Sequence, residues 1–586
     1  MAVIKPESNG PCRSETILFV GAGATAQLDM PPTTAQAHMI YDLCDVNGEV
    51  QPEHITYECL SEHKKTICDL LNLLDYEENA IEKNSSSQKR FLPKCFPGID
   101  LETACHRVLT LRETYDWHSL KLVAKSKKGR GGDNYFRENF LQEVFTLIDA
   151  CLREGRGYAV YSGNQEVFLT TRRLQAAREM LILLINTMFA CAWQKLVKSA
   201  DGQQKLQPYR RFAEALSQLM YREGEVLYDA GHSLNHRDFY LFSYTILTTN
   251  FEPIFLWLFY QAHKKLNRMT QERIHGRKIQ LFYDFPNTLG MYQLLDSKEK
   301  QLSSDVWQPM TEAVVQKLND DRHQGDRIIR IGKYYYVHGS SNFRHCPACG
   351  RISCFLGDTW DENSESLFPP GIIHPFLWNV KPRTKQEHKA FERGEYDAKQ
   401  CLFCGQLTHA CDNFMFMQTQ LKCLPPSFIK EITDEALAAL KGARHIVLLG
   451  YRMPLDDAIW GSVLTATIQR IETPVYCSVV CGYQGEPQWL FGETLDNYIS
   501  KCKKEAICKD NSETFLTNHG IDAIENAFAV FGKANVRAYT KGIPEVFGDG
   551  TENIVRELMY PQVECPKEWQ LSWCRNGQIT RYTNED

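Results

Sequence analysis

The chain has 586 residues, 43% of them hydrophobic and 24% charged, enough for a large core and roughly two to four domains. A formal charge of −6 argues against a general nucleic-acid-binding protein, so nucleic acid is not expected as a direct ligand. The 21 cysteines are odd in number and scattered, unlike a secreted disulfide framework, and most read as reduced core residues.

Along the chain, Met1 to Gly10 is polar and contains Pro6, unlike a signal peptide, so the protein is expected to be cytoplasmic. Thr16–Val20 is an apolar run that reads as a buried strand. It leads into Gly21-Ala22-Gly23-Ala24-Thr25-Ala26, which fits the pattern G-x-G-x-x-G/A. Glycines there allow backbone N–H groups to approach a pyrophosphate, although a tight structural turn uses the same residues. Residues of roughly 40 to 240 are rich in Leu, Glu, Arg and Gln at helical spacing, as in Phe140–Leu152 and Arg173–Trp193, and read as a mostly helical insertion. Met180 to Trp193 is apolar but too short for a membrane span, and a buried core helix is expected. Glu82–Lys89 and Lys125–Asn134 read as loops.

Four further strands are expected at Tyr244–Thr248, Tyr334–Val337, His445–Leu449 and Val475–Val480, with another at Ala534–Tyr539. Their continuous apolar character suits a parallel sheet covered on both faces. Ligands in such sheets lie beyond the carboxyl ends of the strands. Asn250 stands at one such end and could hold a water or a sugar hydroxyl, or it could be a helix cap before Glu252-Pro253. His338 stands at another, where a neutral imidazole can take a proton, though a structural histidine is also common there. Gly450 and Tyr451 follow a third end as a candidate pocket wall, and Asp456 and Asp457 read as caps for the next helix.

Cys346-Pro-Ala-Cys349 and Cys401-Leu-Phe-Cys404 are each followed by glycine, which permits the turn that aims two thiolates at one metal. A closed, structural four-cysteine Zn2+ site is expected. Cys354, Cys411, His345 and His409 stand nearby as alternative ligands. The fold class expected is therefore α/β, a Rossmann-like parallel sheet with a small four-cysteine zinc module and a large helical insertion. Residues 1–40 would begin the nucleotide-binding domain and 41–240 would form the insertion, for regulation or oligomerisation. Residues 241–550 would complete the domain, with the zinc module at about 340–415, and 551–586 would be a tail.

Taken in order, the Gly-Ala-Gly turn, the Thr-Thr-Asn strand end, the His-Gly pair, the two C-x-x-C knuckles and the Leu-Leu-Gly-Tyr strand end resemble the sirtuin family. The resemblance covers residues of about 15–36 and 240–550. It implies an NAD-binding domain that cleaves the nicotinamide–ribose bond, with NAD+ as substrate. Gly21, Ala22, Gly23 and Thr25 would embrace the phosphates and adjoining ribose. Asn250 would orient ribose or water, His338 would be the general base, and Gly450 and Tyr451 would line the adenosine side. Deacylating sirtuins carry Gly-Ile-Pro-Asp-Phe-Arg where this chain reads Asp29-Met30-Pro31-Pro32-Thr33-Thr34. Their Gln-Asn-Ile-Asp is here Thr249-Asn250-Phe251-Glu252.

These departures put acyl-lysine recognition in doubt and leave the NAD-cleaving pair in place. With its helical insertion the chain is similar to sirtuin-like NAD hydrolases of bacterial antiviral defence. That likeness implies a homo-oligomer and a trigger, either a HerA-type hexameric ATPase or a phage-derived activator. No Walker-type motif occurs in this chain, so an ATPase would be a separate partner. Competing expectations are an NAD-dependent protein-lysine deacylase and a catalytically silent NAD sensor.

Overall fold

The computed structural model describes residues 16–30, 45–46, 49–50, 64–75, 92, 96, 98–128, 141–162, 165–229, 242–273, 278–284, 288–295, 298–301, 327–341, 343–345, 352–355, 399–400, 407–408, 415, 427–453, 458–468, 475–509, 512–548 and 550–559. Its centre is an eight-stranded sheet. Numbered among themselves, its strands are β1 (Thr16–Val20), β2 (Phe242–Thr248), β3 (Lys278–Asp284), β4 (Arg327–Tyr336), β5 (His445–Leu449), β6 (Tyr476–Val480), β7 (Trp489–Phe491) and β8 (Val536–Tyr539). They lie in the order β7-β8-β6-β5-β1-β2-β4-β3. All neighbours are parallel except the β7–β8 pair at one edge. The mostly parallel α/β sheet expected from the sequence is therefore present.

Burial explains the run-like sequences of the central strands. Every residue of β1, β5 and β6 is buried. Successive side chains on a strand point to opposite faces, so both faces are covered and neither needs polar residues. One group of helices is α6 (Ala200–Asp229), α7 (Ile254–Arg273) and α13 (Glu552–Met559). A second is the series α8 (Ser427–Lys441), α9 (Ala458–Ile468), α10 (Gly492–Ala506), α11 (Ser512–Asn518) and α12 (Ile521–Phe531).

Between β1 and β2 the chain forms α1 (Lys64–Asp75), α2 (Leu101–Tyr115), α3 (Trp117–Lys128), α4 (Leu141–Arg153), α5 (Thr171–Lys198) and α6, with a hairpin of Tyr158–Ser162 and Gln165–Leu169. Helix α3 extends to Lys128, so Lys125–Lys128 is helical rather than loop. The remainder of that expected loop, and all of Glu82–Lys89, lie outside the described residues. Helix α5 is long and apolar enough to cross a membrane, but 94% of its apolar window is buried inside the protein. That matches a core helix.

Helix α6 is no appendage. It packs on β3, β4, α7 and α13. Phe212 stacks on Phe547 at 4.3 Å and meets Phe259 edge-on at 5.8 Å. The last segment of this long connection thus supplies part of the sheet's own cover.

A buried polar network ties α13 to the sheet. Met559 O accepts from Thr16 Oγ1 at 2.9 Å and lies 3.1 Å from His445 Nδ1. A carbonyl only accepts, so Nδ1 carries the imidazole proton and Nε2 accepts from Ser478 Oγ at 2.8 Å. Burial and the nearby Arg537 hold the His445 pKa down to about 3, so this histidine stays neutral. Arg537 donates to Ser478 Oγ at 2.8 Å, to Glu557 Oε1 at 2.6 Å and to Glu557 O at 2.7 Å. Its guanidinium carbon lies 3.8 Å from the Trp489 ring centre. The cation is fully enclosed yet satisfied on several sides.

Candidate functional site

Register brings four strand ends level. Val20 of β1 stands beside Leu449 of β5 on one side and Thr248 of β2 on the other, and Thr248 stands beside Tyr336 of β4. Chain order reverses direction across the sheet at β1, with β2 on one flank and β5 on the other. That is the switch point at which open α/β sheets leave a crevice. The glycine turn, Asn250, His338 and Gly450-Tyr451 emerge along this row, which spans about 15 Å at ordinary strand spacing.

The glycine turn is built by contact with the β5 loop. Gly21 N–H donates to Leu449 O and Gly23 N–H to Gly450 O, each at 3.0 Å. A Cβ on either Gly21 or Gly23 would fall 2.8 Å from Gly450 O. Gly450 has φ +61°, and its own Cβ would lie 2.1 Å from Ala24 N. Three glycines therefore serve a close approach of two backbones, and the N–H groups of Gly21 and Gly23 are used within the protein. Two short 3₁₀ turns follow, Ala22–Ala24 and Ala26–Leu28, in place of a long helix. Tyr451 is buried and stacks on Phe19 with ring centres 4.2 Å apart.

From the other side α6 reaches the same turn. Tyr209 donates to Ala24 O at 2.9 Å, and Lys205 pairs with Asp29 at 2.7 Å. Burial raises the Tyr209 phenol well above its ordinary range, so it stays a donor.

At the end of β2, Thr249 N–H donates to Val20 O, and Asn250 N–H donates to Thr248 Oγ1 at 3.0 Å. Asn250 Nδ2 donates to Glu252 Oε1 at 2.9 Å, and Thr25 Oγ1 donates to the same oxygen at 2.7 Å. Burial pushes the Glu252 carboxyl up to about 7, opposed by hydrogen bonds from Thr25, the Ile254 backbone N–H and Asn250. Thr249 Oγ1, Asn250 Oδ1 and Glu252 Oε2 are buried without a hydrogen-bond partner among the described residues. Orphan polar atoms so close together are costly and call for an explanation.

His338 is buried at the end of β4, its ring centre 6.4 Å from that of Phe251. Ser340 Oγ and Ser341 Oγ both donate to Phe251 O, at 2.9 and 3.0 Å. These bonds stitch the β4 loop to the Asn250–Glu252 segment. Gly339, with φ +76°, bridges Met415, whose carbonyl accepts from Arg178 of α5 at 3.0 Å. Arg178 is itself held by the buried Asp149 of α4 at 2.7 Å.

The structure thus brings Gly21, Ala22, Gly23, Thr25, Asn250, His338, Gly450 and Tyr451 to one edge of the sheet. The expected zinc ligands Cys346, Cys349, Cys401 and Cys404 lie outside the described residues. Sequence reading passed over two contributors. Glu252 stands in the sequence reading only as a departure from the sirtuin pattern and as the residue before Pro253 that follows a possible Asn250 cap, although its place two residues after Asn250 is the available signal. Tyr209 carried no signal beyond its place in a helical pattern. No protein-family model matches the chain, and no curated protein matches it.

Proposed function

We propose that the chain is an NAD+ hydrolase that cleaves the nicotinamide–ribose bond to give nicotinamide and ADP-ribose. The observation that carries this reading is the orphaned, buried Asn250 Oδ1 on the strand-end row that also presents His338, at the sheet's switch point. A fixed carbonyl oxygen there can accept a hydrogen bond from a water or a ribose hydroxyl. In the reaction the glycosidic electron pair leaves with nicotinamide, neutralising its ring. Water oxygen bonds to the ribose carbon, and the proton it sheds passes to His338. Gly21 to Thr25 would carry the phosphate side, with Gly450 and Tyr451 toward the adenosine. The four cysteines would hold a structural Zn2+ away from the chemistry, on the strength of their spacing alone.

In a cell this activity depletes a shared cofactor, which suits an effector of bacterial antiviral defence. Such an enzyme needs gating. The helices between β1 and β2 would supply it, through homo-oligomerisation or through a HerA-type ATPase or a phage-derived activator. Support for this comes from family resemblance and from the contacts that α5 and α6 make beside the site.

The test is incubation of the protein with NAD+ alone, following nicotinamide and ADP-ribose by chromatography. Hydrolysis without a peptide, lowered about 10²–10⁴-fold in His338→Ala, is expected. Full activity in a folded His338→Ala protein would refute the assignment. Turnover that requires an acetyl-lysine peptide would replace it with a deacylase.

A further inference from the structure

Glu252 is only 4% exposed, and a carboxylate is expensive to bury. One of its oxygens is used entirely on the site's own residues. Oε1 takes hydrogen bonds from Thr25 Oγ1 at 2.7 Å and Asn250 Nδ2 at 2.9 Å. Thr25 belongs to the turn after β1 and Asn250 to the end of β2, so a single atom joins the two loops.

The chemistry of an amide makes this join directional. An asparagine side chain has a donor end and an acceptor end of nearly equal shape, and its partner decides which end faces inward. A carboxylate oxygen that already takes the Thr25 hydroxyl can only accept, so the Nδ2 end turns toward Glu252. The Oδ1 end is then left buried without a hydrogen-bond partner among the described residues.

We propose that Glu252 is a positioning residue, whose Oε1 fixes Asn250 so that Oδ1 faces the reacting water or ribose hydroxyl and couples that orientation to the glycine turn through Thr25. What Oδ1 acts on rests on the NAD-hydrolase reading. The orientation itself rests on the hydrogen bonds alone. A neutral glutamine keeps an acceptor oxygen and reproduces the lock. Alanine removes it, and aspartate, shorter by one methylene, keeps the charge but cannot reach both donors.

The experiment uses the full chain labelled with ¹⁵N at asparagine, with the Asn250 side-chain amide identified by its absence in Asn250→Ala. Glu252→Ala and Glu252→Asp are expected to shift that resonance and speed its solvent exchange, and to lower NAD+ hydrolysis about 10–100-fold. Glu252→Gln is expected to keep the resonance near its wild-type position and to retain turnover within about threefold. Circular dichroism checks that each variant is folded, and Glu252→Asp serves if Glu252→Ala is not. An Asn250 resonance unmoved in Glu252→Asp overturns the proposal whatever the enzyme does. So does Glu252→Gln with turnover as low as Glu252→Ala. A resonance that moves as expected, in a protein whose wild type leaves NAD+ untouched even with its activating partner present, upholds the positioning and rejects the NAD-hydrolase reading.

Discussion

Replacing Gly450 with alanine should separate the glycine turn after β1 from the loop after β5. The residue has φ +61°, where an L side chain is strained, and its new Cβ would lie 2.1 Å from Ala24 N and 2.4 Å from Gly23 C. Both obstacles are backbone atoms, so no side chain can swing aside. Relief requires the loops to part, breaking the Gly23 N–H to Gly450 O and Gly21 N–H to Leu449 O hydrogen bonds. Left-handed strain and two lost backbone bonds together cost about 3–4 kcal/mol. Gly461 provides the control. It lies in α9 with nothing within 4 Å of a built Cβ, and alanine there should be neutral or gain about 0.5–1 kcal/mol. Urea unfolding followed by tryptophan fluorescence measures both variants against the wild type. A Gly450→Ala protein that unfolds at the wild-type midpoint would show that the loops do not meet in this way, and the argument for the glycines would fail.

Arg537→Met should destabilise the protein by about 3 kcal/mol, because it removes the hydrogen bonds that Arg537 gives to Glu557 and to Ser478 Oγ; calorimetry showing an unchanged midpoint would refute this. Glu252 predicts a pH dependence of stability. Its folded pKa, raised from 4.5 to about 7, means that the native state binds the extra proton in that window, so the carboxyl costs stability progressively as pH rises from 4.5 toward 7. Glu252→Gln does not ionise, so its stability relative to wild type should grow by about 3 kcal/mol between pH 4.5 and 8, and a pH-independent difference would refute the shifted pKa. His338→Ala empties a buried position and should cost about 1–3 kcal/mol while keeping one cooperative transition in the same urea series; a variant that does not fold would show a structural rather than a chemical role.

The strands that sequence reading located best are those whose physics is local. Thr16–Val20 and His445–Leu449 match the structure residue for residue, because a fully buried strand is a short apolar run stopped by glycine. Strand β3, Lys278–Asp284, went unread because KIQLFYD mixes polar and apolar residues as an edge strand does. Strand β7 is too short at three residues to carry a pattern. Lys125–Lys128 looked like a loop because it is charged, yet charge suits the solvent end of a helix equally well. The site residues at strand ends were legible for the same local reason. What joins them was not. Thr25 and Glu252 are 227 positions apart, and no pattern within either segment announces that they share a hydrogen bond. The part of α6 in covering the sheet was hidden in the same way, since an amphipathic stripe says that a face is buried but not against what.

The placement of β1 bears on the order of synthesis. It emerges first among the strands of the main sheet, yet its two neighbours are β2 and β5, and Thr16 pairs beside His445. On the ribosome the strand must wait for most of the chain before its second flank is filled, while the helices α1 to α6 need only their own neighbours to begin folding. Non-local pairing of this kind is slow, and its closure comes late. Because Gly450 closes on the glycine turn only when β5 joins β1, a half-made chain has no assembled site. For an NAD hydrolase of the kind proposed, topology alone would keep the nascent protein silent until the chain has been made past Gly450.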